Sequence, residues 1–294
     1  MQTAANPGRR RRLRAADCSS SNGDMRVCLI QLYHMRFNCH RLRQRLAALR
    51  CAAVPECIQG DARREDSYAQ ALGGERADLL ITDPPYCLLT RRRKGGDPRD
   101  PHAGRKIDRQ PVTRFESVRD YRSFTEEWLP RAVSHLRAGG PMAIWTNFLG
   151  KEPITTVARS LGYQPVDELV WAKRTSEREG NEQILRVYET ALLFSREPLP
   201  PPHDADPPRC RCVAAGYDED GEAARWGNHP NHKPFGVLEA LLREWSRPGE
   251  LVLDPFAGSG SIPAAALRLG RRAACIEIEE EWASRVRVRL ARAR

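Results

Sequence analysis

Four consecutive residues, Asp83-Pro84-Pro85-Tyr86, have side chains that could handle a planar amino group. The nitrogen of such a group is a poor nucleophile, because its lone pair is delocalised into the ring that carries it. Two hydrogen-bond acceptors placed on its two N–H bonds would localise the lone pair, and the Asp83 carboxylate and the Pro84 carbonyl can supply them. Two prolines stiffen the loop and remove competing N–H donors. Tyr86 offers a ring on which an extracted base could stack.

A glycine-rich turn lies about 170 residues further on, in Asp254-Pro255-Phe256-Ala257-Gly258-Ser259-Gly260. Glycines allow the backbone to approach a ligand closely. The turn is neither a full GxGxxG nor a phosphate loop, since no Lys follows it. Glu277 ends the next predicted strand, where a carboxylate can bind both hydroxyls of a ribose. A solvated helix start is the alternative for this residue, because three further Glu residues follow.

Together these motifs, in this order, resemble the β-class DNA amino-methyltransferases, which transfer a methyl group from S-adenosylmethionine to an exocyclic amine of a base. The segment Asn228-His229-Pro230-Asn231-His232-Lys233-Pro234 resembles the HPxxKP segment of that family. The resemblance extends over roughly residues 56–292. It includes Trp171-Ala172-Lys173, which resembles a W-x-K segment of the family. It also includes Tyr188-Glu189, at a position where the family often has His-Glu.

The resemblance implies roles for individual residues. His229, Lys233 and Pro234 would line the methionine end of S-adenosylmethionine. Asp254 would orient the glycine turn and face the methionine amino group, and Asp61 would meet the adenine ring. The remaining cofactor-binding residues that it implies are Phe256, Gly258, Gly260 and Glu277.

Alternating strand and helix patterns predict the fold. Short apolar runs such as Asp78–Thr82 are typical of strands that are buried on both faces of a parallel sheet. The order of elements indicates an α/β, doubly wound sheet. The resemblance makes it a mostly parallel, seven-stranded, Rossmann-like sheet in circular permutation, because the amine motif precedes the glycine motif.

The chain divides into regions of different composition. Residues 1–24 are Arg-, Ser- and Ala-rich and predict a disordered basic tail, with an early start codon or a transit peptide as alternatives. Residues 25–55 predict a helical extension, and 56–294 the methyltransferase domain. Within that domain, 88–120 predicts a long DNA-contacting loop. The Pro-rich and acidic stretch 197–228 stands where the family has its target-recognition region, here as a short insertion.

The net charge of +10 and the pI near 9.4 favour a polyanionic partner, although an Arg-rich coding bias would give the same excess. Basic residues cluster directly after the amine motif, where they could hold DNA phosphates on either side of an extracted base. A solvated surface is the alternative for this cluster. The predicted DNA-binding residues are Arg91, Arg92, Arg93, Lys94, Arg105 and Lys106.

Nine cysteines in a chain of this size, with no apolar run of about 18 residues, indicate free thiols and a cytoplasmic, nucleoid-associated protein without a membrane span. Cys210, Cys212 and His203 match no standard zinc framework, so we expect no metal site. A second copy of the chain in a homodimer and a cognate restriction endonuclease are further candidate partners, between which the sequence does not decide.

The sequence therefore predicts an S-adenosylmethionine-dependent DNA methyltransferase acting on adenine N6. In the resembling family, Asp-Pro-Pro-Tyr favours adenine and Ser-Pro-Pro-Tyr favours cytosine N4. Cytosine N4 stays an alternative, as do an RNA or glutamine amide substrate and a nucleic-acid-binding protein with an inactive cofactor site. The sequence leaves the DNA recognition site open.

Overall fold

The computed structural model describes residues 57–89, 113–174, 188–197, 211–218 and 220–293. The predicted tail 1–24, the helical extension 25–55 and the DNA-binding residues from Arg91 to Lys106 lie outside these ranges. No helix in the described part of the chain has the length and apolar character that crossing a membrane requires.

The first half of the described chain alternates strands and helices. It comprises β1 (Cys57–Gln59), α1 (Glu65–Leu72), β2 (Leu79–Thr82), α2 (Val118–Ser134), β3 (Met142–Thr146), a 3-10 turn (Phe148–Gly150), α3 (Lys151–Ser160) and β4 (Gln164–Arg174).

The second half contains the glycine-rich turn and the last two crossings of the sheet. It comprises β5 (Tyr188–Ser195), β6 (Cys212–Gly216), α4 (Glu222–Arg225), α5 (Phe235–Trp245), β7 (Leu251–Asp254), α6 (Ser261–Arg268), β8 (Arg272–Glu277) and α7 (Glu280–Arg292).

All described strands form one sheet in the order β1-β8-β7-β2-β3-β5-β4-β6. Every neighbouring pair is parallel except the two that involve β5. The predicted α/β, doubly wound and mostly parallel sheet is thereby confirmed. The strand that precedes the glycine turn, β7, pairs directly with the strand that precedes Asp83, β2, although they are far apart in the chain.

The sheet has eight strands, one more than the seven predicted. Among the described strands the additional one is β6, which lies in the stretch 197–228 that we predicted to be a short insertion. It pairs with β4 alone, at the edge of the sheet. An edge strand needs only one buried side, and the small residues of Cys212–Gly216 carry no clear apolar alternation, so the sequence signal for β6 is weak.

Two apolar layers cover the faces of the sheet, and alternate residues of β2 point into different layers. Leu80 packs in one cluster with Trp128 of α2, whereas Leu79 and Ile81 pack in the other with Trp245 of α5. All four residues of β2 are fully buried. Burial on both faces explains why the strand is a continuous apolar run, and it fixes the position at which Asp83 leaves the sheet.

Candidate active site

The amine loop, which we define as residues 83–87, leaves β2 at the carboxyl edge of the sheet. Ligands of open α/β sheets bind at this edge. Its two chemically versatile side chains are largely buried: Asp83 is 8 % exposed and Tyr86 is 6 % exposed. The loop is therefore part of the packed core and not a flexible surface turn.

Asp83 is held by a lysine from the HPxxKP segment. The Lys233 Nζ donates to Asp83 Oδ2 at 2.5 Å and lies 3.2 Å from Glu189 Oε2, a residue of β5. The other oxygen of Asp83, Oδ1, is buried and has no hydrogen-bond partner among the described residues. A buried acceptor of this kind is costly to leave unpaired, so Oδ1 is chemically suited to accept a hydrogen bond from an N–H donor.

Tyr86 is held by the Glu189 carboxylate, which also lies beside Lys233. Its hydroxyl donates to Glu189 Oε2 at 2.7 Å, and Lys173 of β4 donates to the other oxygen of Glu189. The Tyr86 ring packs in the apolar cluster above β2, with Lys233 Nζ 5.6 Å from the ring centre. The residue is thus largely buried in this structure, whereas the sequence suggested an accessible stacking surface.

Burial and the neighbouring charges have opposite effects on the pKa values of the groups in this cluster. Burial raises the pKa of Asp83 to about 6, against the opposing pull of the Lys233 ammonium. Burial also opposes the charged form of Glu189, but Lys233 and Lys173 outweigh it and lower the pKa of Glu189. The two carboxylates outweigh burial at Lys233 and raise its pKa. Asp83 is thus the group of the cluster that titrates closest to neutral pH.

Asp254, at the end of β7, connects the amine loop to the glycine turn. Its Oδ1 accepts hydrogen bonds from the Thr82 hydroxyl at 2.8 Å and from the Phe256 backbone N–H at 3.2 Å. Its Oδ2 is buried without a partner among the described residues. Burial raises the pKa of Asp254 to about 7. An unpaired carboxylate oxygen suits an ammonium group, such as the amino group of a methionine.

Neighbouring side chains of the protein leave no room for a Cβ at the two glycines of the turn. Gly258 has a φ of 51°, and a Cβ at this position would lie 2.8 Å from the His229 ring. Gly260 has a φ of 76°, and its Cβ would lie 2.9 Å from Val286 of α7. Both positions therefore require glycine for backbone conformation and for packing. The same proximity places the His229 ring beside the turn.

Phe256 packs against the apolar core from its edge. Its ring packs edge-on against Trp128 of α2, with the ring centres 5.1 Å apart. Phe256 is half-buried.

Two further acids of the predicted site lie at or just after the ends of strands: Glu277 is the last residue of β8, and Asp61 follows β1. Glu277 accepts a hydrogen bond from the Gly258 N–H at 2.7 Å and another from the Glu279 N–H at 3.0 Å, so it braces the glycine turn. Burial raises the pKa of Glu277. Asp61, after β1, binds Arg63 through both oxygens, and its pKa is lowered mainly by these hydrogen bonds.

Comparison with known proteins gives the family. The family model described as "DNA methylase", which covers N6 and N4 methyltransferases, matches residues 77–287. The chain belongs to this family.

Relatives and solved structures agree with this assignment. The chain is 29 % identical over 229 residues to YubD of Escherichia coli (strain K12), which is named as a methylase, covering 76 % of this chain and 85 % of YubD. The structure of the M1.HpyAVI–SAM complex superposes with a TM-score of 0.60 and 20 % identity, covering 80 % of this chain and 98 % of that one.

A cytosine-N4-specific enzyme, PvuII DNA methyltransferase, superposes with a TM-score of 0.55 and 15 % identity, covering 78 % of this chain and 84 % of that one. At such identities the solved structures establish the shared fold. They leave the choice between the two bases open.

The fold of this DNA methylase brings the predicted residues into two adjoining groups. Asp83 to Tyr86 directly follow β2, while the predicted cofactor residues Asp254, Phe256, Gly258, Gly260 and Glu277 lie at the ends of β7 and β8 and in the turn between β7 and α6. His229 lies beside that turn, and Asp61 lies after β1, the strand that pairs with β8. Lys233 is the exception, because its ammonium lies on Asp83 and not at the glycine turn. Pro234, next to it, is buried and directly precedes α5.

Three residues of the site had no role in the sequence interpretation: Glu189, Lys173 and Asn147. Glu189 and Lys173 come from β5 and β4, which pair in the sheet, and both contact the cluster around Asp83. Asn147 donates from Nδ2 to the carbonyl oxygen of Cys87 at 3.0 Å and so ties the loop to the end of β3. Tyr188-Glu189 and Trp171-Ala172-Lys173 were part of the family resemblance, which marked Glu189 and Lys173 without giving them a role.

Proposed function

We propose that this DNA methylase transfers a methyl group from S-adenosylmethionine to the exocyclic N6 of adenine in DNA. The proposal rests on the two oxygens of the Asp83 carboxylate. Lys233 binds one of them, and the other is buried and has no hydrogen-bond partner among the residues that the structure describes. A rigid acceptor with one free oxygen is suited to a substrate N–H.

The residues around the glycine turn fit S-adenosylmethionine. The unpaired Oδ2 of Asp254 would take the methionine ammonium, and Glu277 would take the ribose hydroxyls in exchange for its backbone partners. Asp61 would face the adenine ring. When bound, S-adenosylmethionine supplies a methyl group on a sulfonium, whose sulfur keeps the electron pair as the new N–C bond forms.

The protein's part in the reaction is to aim the lone pair of the amine. Asp83 Oδ1 accepts one N–H and the Pro84 carbonyl accepts the other, which leaves the lone pair to point toward the methyl carbon. Above its pKa of about 6, Asp83 is a carboxylate and can act as an acceptor. The amine carries an acidic proton only after methyl transfer, so no strong base is needed. Most of the acceleration comes from proximity and orientation.

Adenine is the finer part of the proposal. It rests on Asp83 as the first residue of the amine motif, since the resembling enzymes with Asp favour adenine and those with Ser favour cytosine. Cytosine N4 is the second candidate, because the family model spans both activities and an N4-specific enzyme shares the fold. We further propose that the basic residues Arg91 to Lys94, Arg105 and Lys106 hold DNA phosphates.

The test is to incubate the full chain with DNA and S-adenosylmethionine carrying an isotope-labelled methyl group. The DNA is then digested to nucleosides, which are separated by chromatography and identified by mass. We expect labelled N6-methyladenine. Labelled N4-methylcytosine alone would overturn the base and leave the amine chemistry in place. Cofactor binding without any label in DNA would favour a nucleic-acid-binding protein with an inactive site.

A further inference from the structure

An exposed aromatic ring lies at the carboxyl edge of the sheet, immediately after β3. Phe148 is 75 % exposed, the highest value among the large apolar side chains that the structure describes as exposed. A single exposed apolar residue is ordinary on a protein surface. Its position relative to the amine loop makes this one informative.

The end of β3 adjoins the amine loop. β3 pairs in parallel with β2, with Ile144 opposite Thr82, so both strands end at the same edge. Asn147 directly precedes Phe148, and its side chain donates to the carbonyl oxygen of Cys87, the last residue of the loop. The turn that carries Phe148 is thus bonded to the loop that carries Asp83.

The turn itself is rigid. The Asn147 Oδ1 accepts a hydrogen bond from the Gly150 N–H at 3.0 Å. A Cβ at Gly150 would lie 2.2 Å from the Thr146 hydroxyl oxygen and 3.2 Å from the Tyr121 ring, so the backbone is packed tightly there. α3 begins at the next residue. Phe148 is therefore displayed on a fixed support and not on a mobile loop.

A base that leaves the DNA stack is commonly held against an aromatic face, which replaces part of the stacking that it has lost. Tyr86 does not provide one in this structure, because its ring is buried and its hydroxyl is bound to Glu189. On the basis of the proposed DNA-methylating function, we infer that Phe148 stacks on the extracted target base while Asp83 engages its amine.

The inference is tested by methylation kinetics of the full chain with two variants of the same residue. Phe148→Leu keeps an apolar side chain without a π face, and kcat/KM for DNA should fall about 10- to 100-fold, the scale of one lost base–aromatic stack. Phe148→Tyr keeps the ring and should stay within a few-fold of the unaltered protein. Leu149→Ala, on the same turn and 40 % exposed, is the matched control and should also stay within a few-fold.

Duplex DNA and heat-denatured DNA distinguish stacking of Phe148 on the target base from insertion of its ring between base pairs of the duplex. Stacking on the target base predicts the same loss for Phe148→Leu on duplex and on heat-denatured DNA, with unchanged S-adenosylmethionine affinity by calorimetry. A loss confined to duplex DNA would contradict the inference, and so would equal activity of Phe148→Leu and the unaltered protein. If the unaltered protein methylates no DNA, the proposed function is wrong, and the inference about Phe148, which rests on it, is wrong as well.

Discussion

The amine loop and the glycine turn end neighbouring strands, yet different forces hold them. Asp83 and Tyr86 are fixed by charged side chains from distant parts of the chain: Lys233, Glu189 and Lys173. The glycine turn is fixed by backbone hydrogen bonds to Glu277 and by close packing. The amine loop therefore depends on electrostatics, whereas the glycine turn depends on shape.

This difference predicts how each region fails. In a buried ion-pair cluster, removing one partner leaves an uncompensated charge, so damage is large and depends on pH. In a tightly packed turn, an added methyl group forces the backbone or a neighbouring side chain to move, so damage is steric and independent of pH. Four substitutions test this difference between the two regions, and their expected effects decrease in the order given.

Asp83→Asn should have the largest effect on activity. It keeps the shape of the side chain and removes the charge, so the rate of methyl transfer should fall by about 10²–10³-fold, as when one preorganised hydrogen-bonding group is lost. Affinity for S-adenosylmethionine, measured by calorimetry, should stay within a few-fold. Asp66→Asn, at an exposed position in α1, is the control. Near-normal turnover of Asp83→Asn would remove Asp83 from the reaction.

Lys233→Met should have the largest effect on stability, because it leaves Asp83 and Glu189 buried without their shared cation. We expect a loss of about 3–5 kcal/mol in the free energy of unfolding, measured in urea. The half-exposed pair of Lys151 and Glu168 offers a control, since Lys151→Met should cost at most about 1 kcal/mol.

The same variant should change the pH dependence of the rate. The Lys233 charge lowers the pKa of Asp83, so its removal raises that pKa above about 6. Since Asp83 must be ionised to accept the amine, the acid limb of kcat/KM should move to higher pH. An unmoved acid limb in a folded Lys233→Met protein would separate Lys233 from the charge state of Asp83.

Gly258→Ala tests the packed turn. Gly73 is a matched control, because its φ of 57° is close to the 51° of Gly258 but no atom lies within 4 Å of its Cβ position. Both variants should lose about 1–2 kcal/mol from backbone strain, and Gly258→Ala should lose about 1–3 kcal/mol more from the clash with His229. Urea unfolding midpoints at pH 6 and pH 8 should show the same difference. Equal losses in the two variants would mean that His229 moves aside freely.

Glu277→Gln should give the smallest change, a loss of about 1–3 kcal/mol in the binding free energy of S-adenosylmethionine, the scale of hydrogen bonds to a charged group. Glu279→Gln, two residues away and exposed, should leave binding unchanged. Isothermal titration calorimetry measures both. Equal affinities in the two variants would make Glu277 a brace of the turn and no more.

The same contrast explains what could be predicted from the sequence. The motifs around Asp83 and Gly258 are local, and the apolar runs around them are long enough to identify the strands, so the sheet and the placement of both motifs at its carboxyl edge were predictable. The contacts of Lys233 with Asp83 and Glu189 join residues that are 150 and 44 positions away in the chain. No local pattern indicates such pairs.

Tyr86 and β6 show two further limits. The motif predicts Tyr86 beside the amine, but the ring is buried in an apolar cluster that includes Trp145 and Trp171, which come from strands later in the chain. β6 forms because β4 offers an unpaired edge, and its own residues carry little strand signal. Tertiary context decides both outcomes.

The central claim is that the free oxygen of Asp83 receives the exocyclic amine. A crystal structure of the protein with S-adenosylhomocysteine and a DNA duplex that contains its methylation site tests this most directly. We expect the target base to lie outside the DNA helix, with its amine nitrogen about 2.6–3.2 Å from Asp83 Oδ1 and with Lys233 still bound to Oδ2. An extracted base whose amine is bound by other residues, with Asp83 Oδ1 still unpaired, would contradict it.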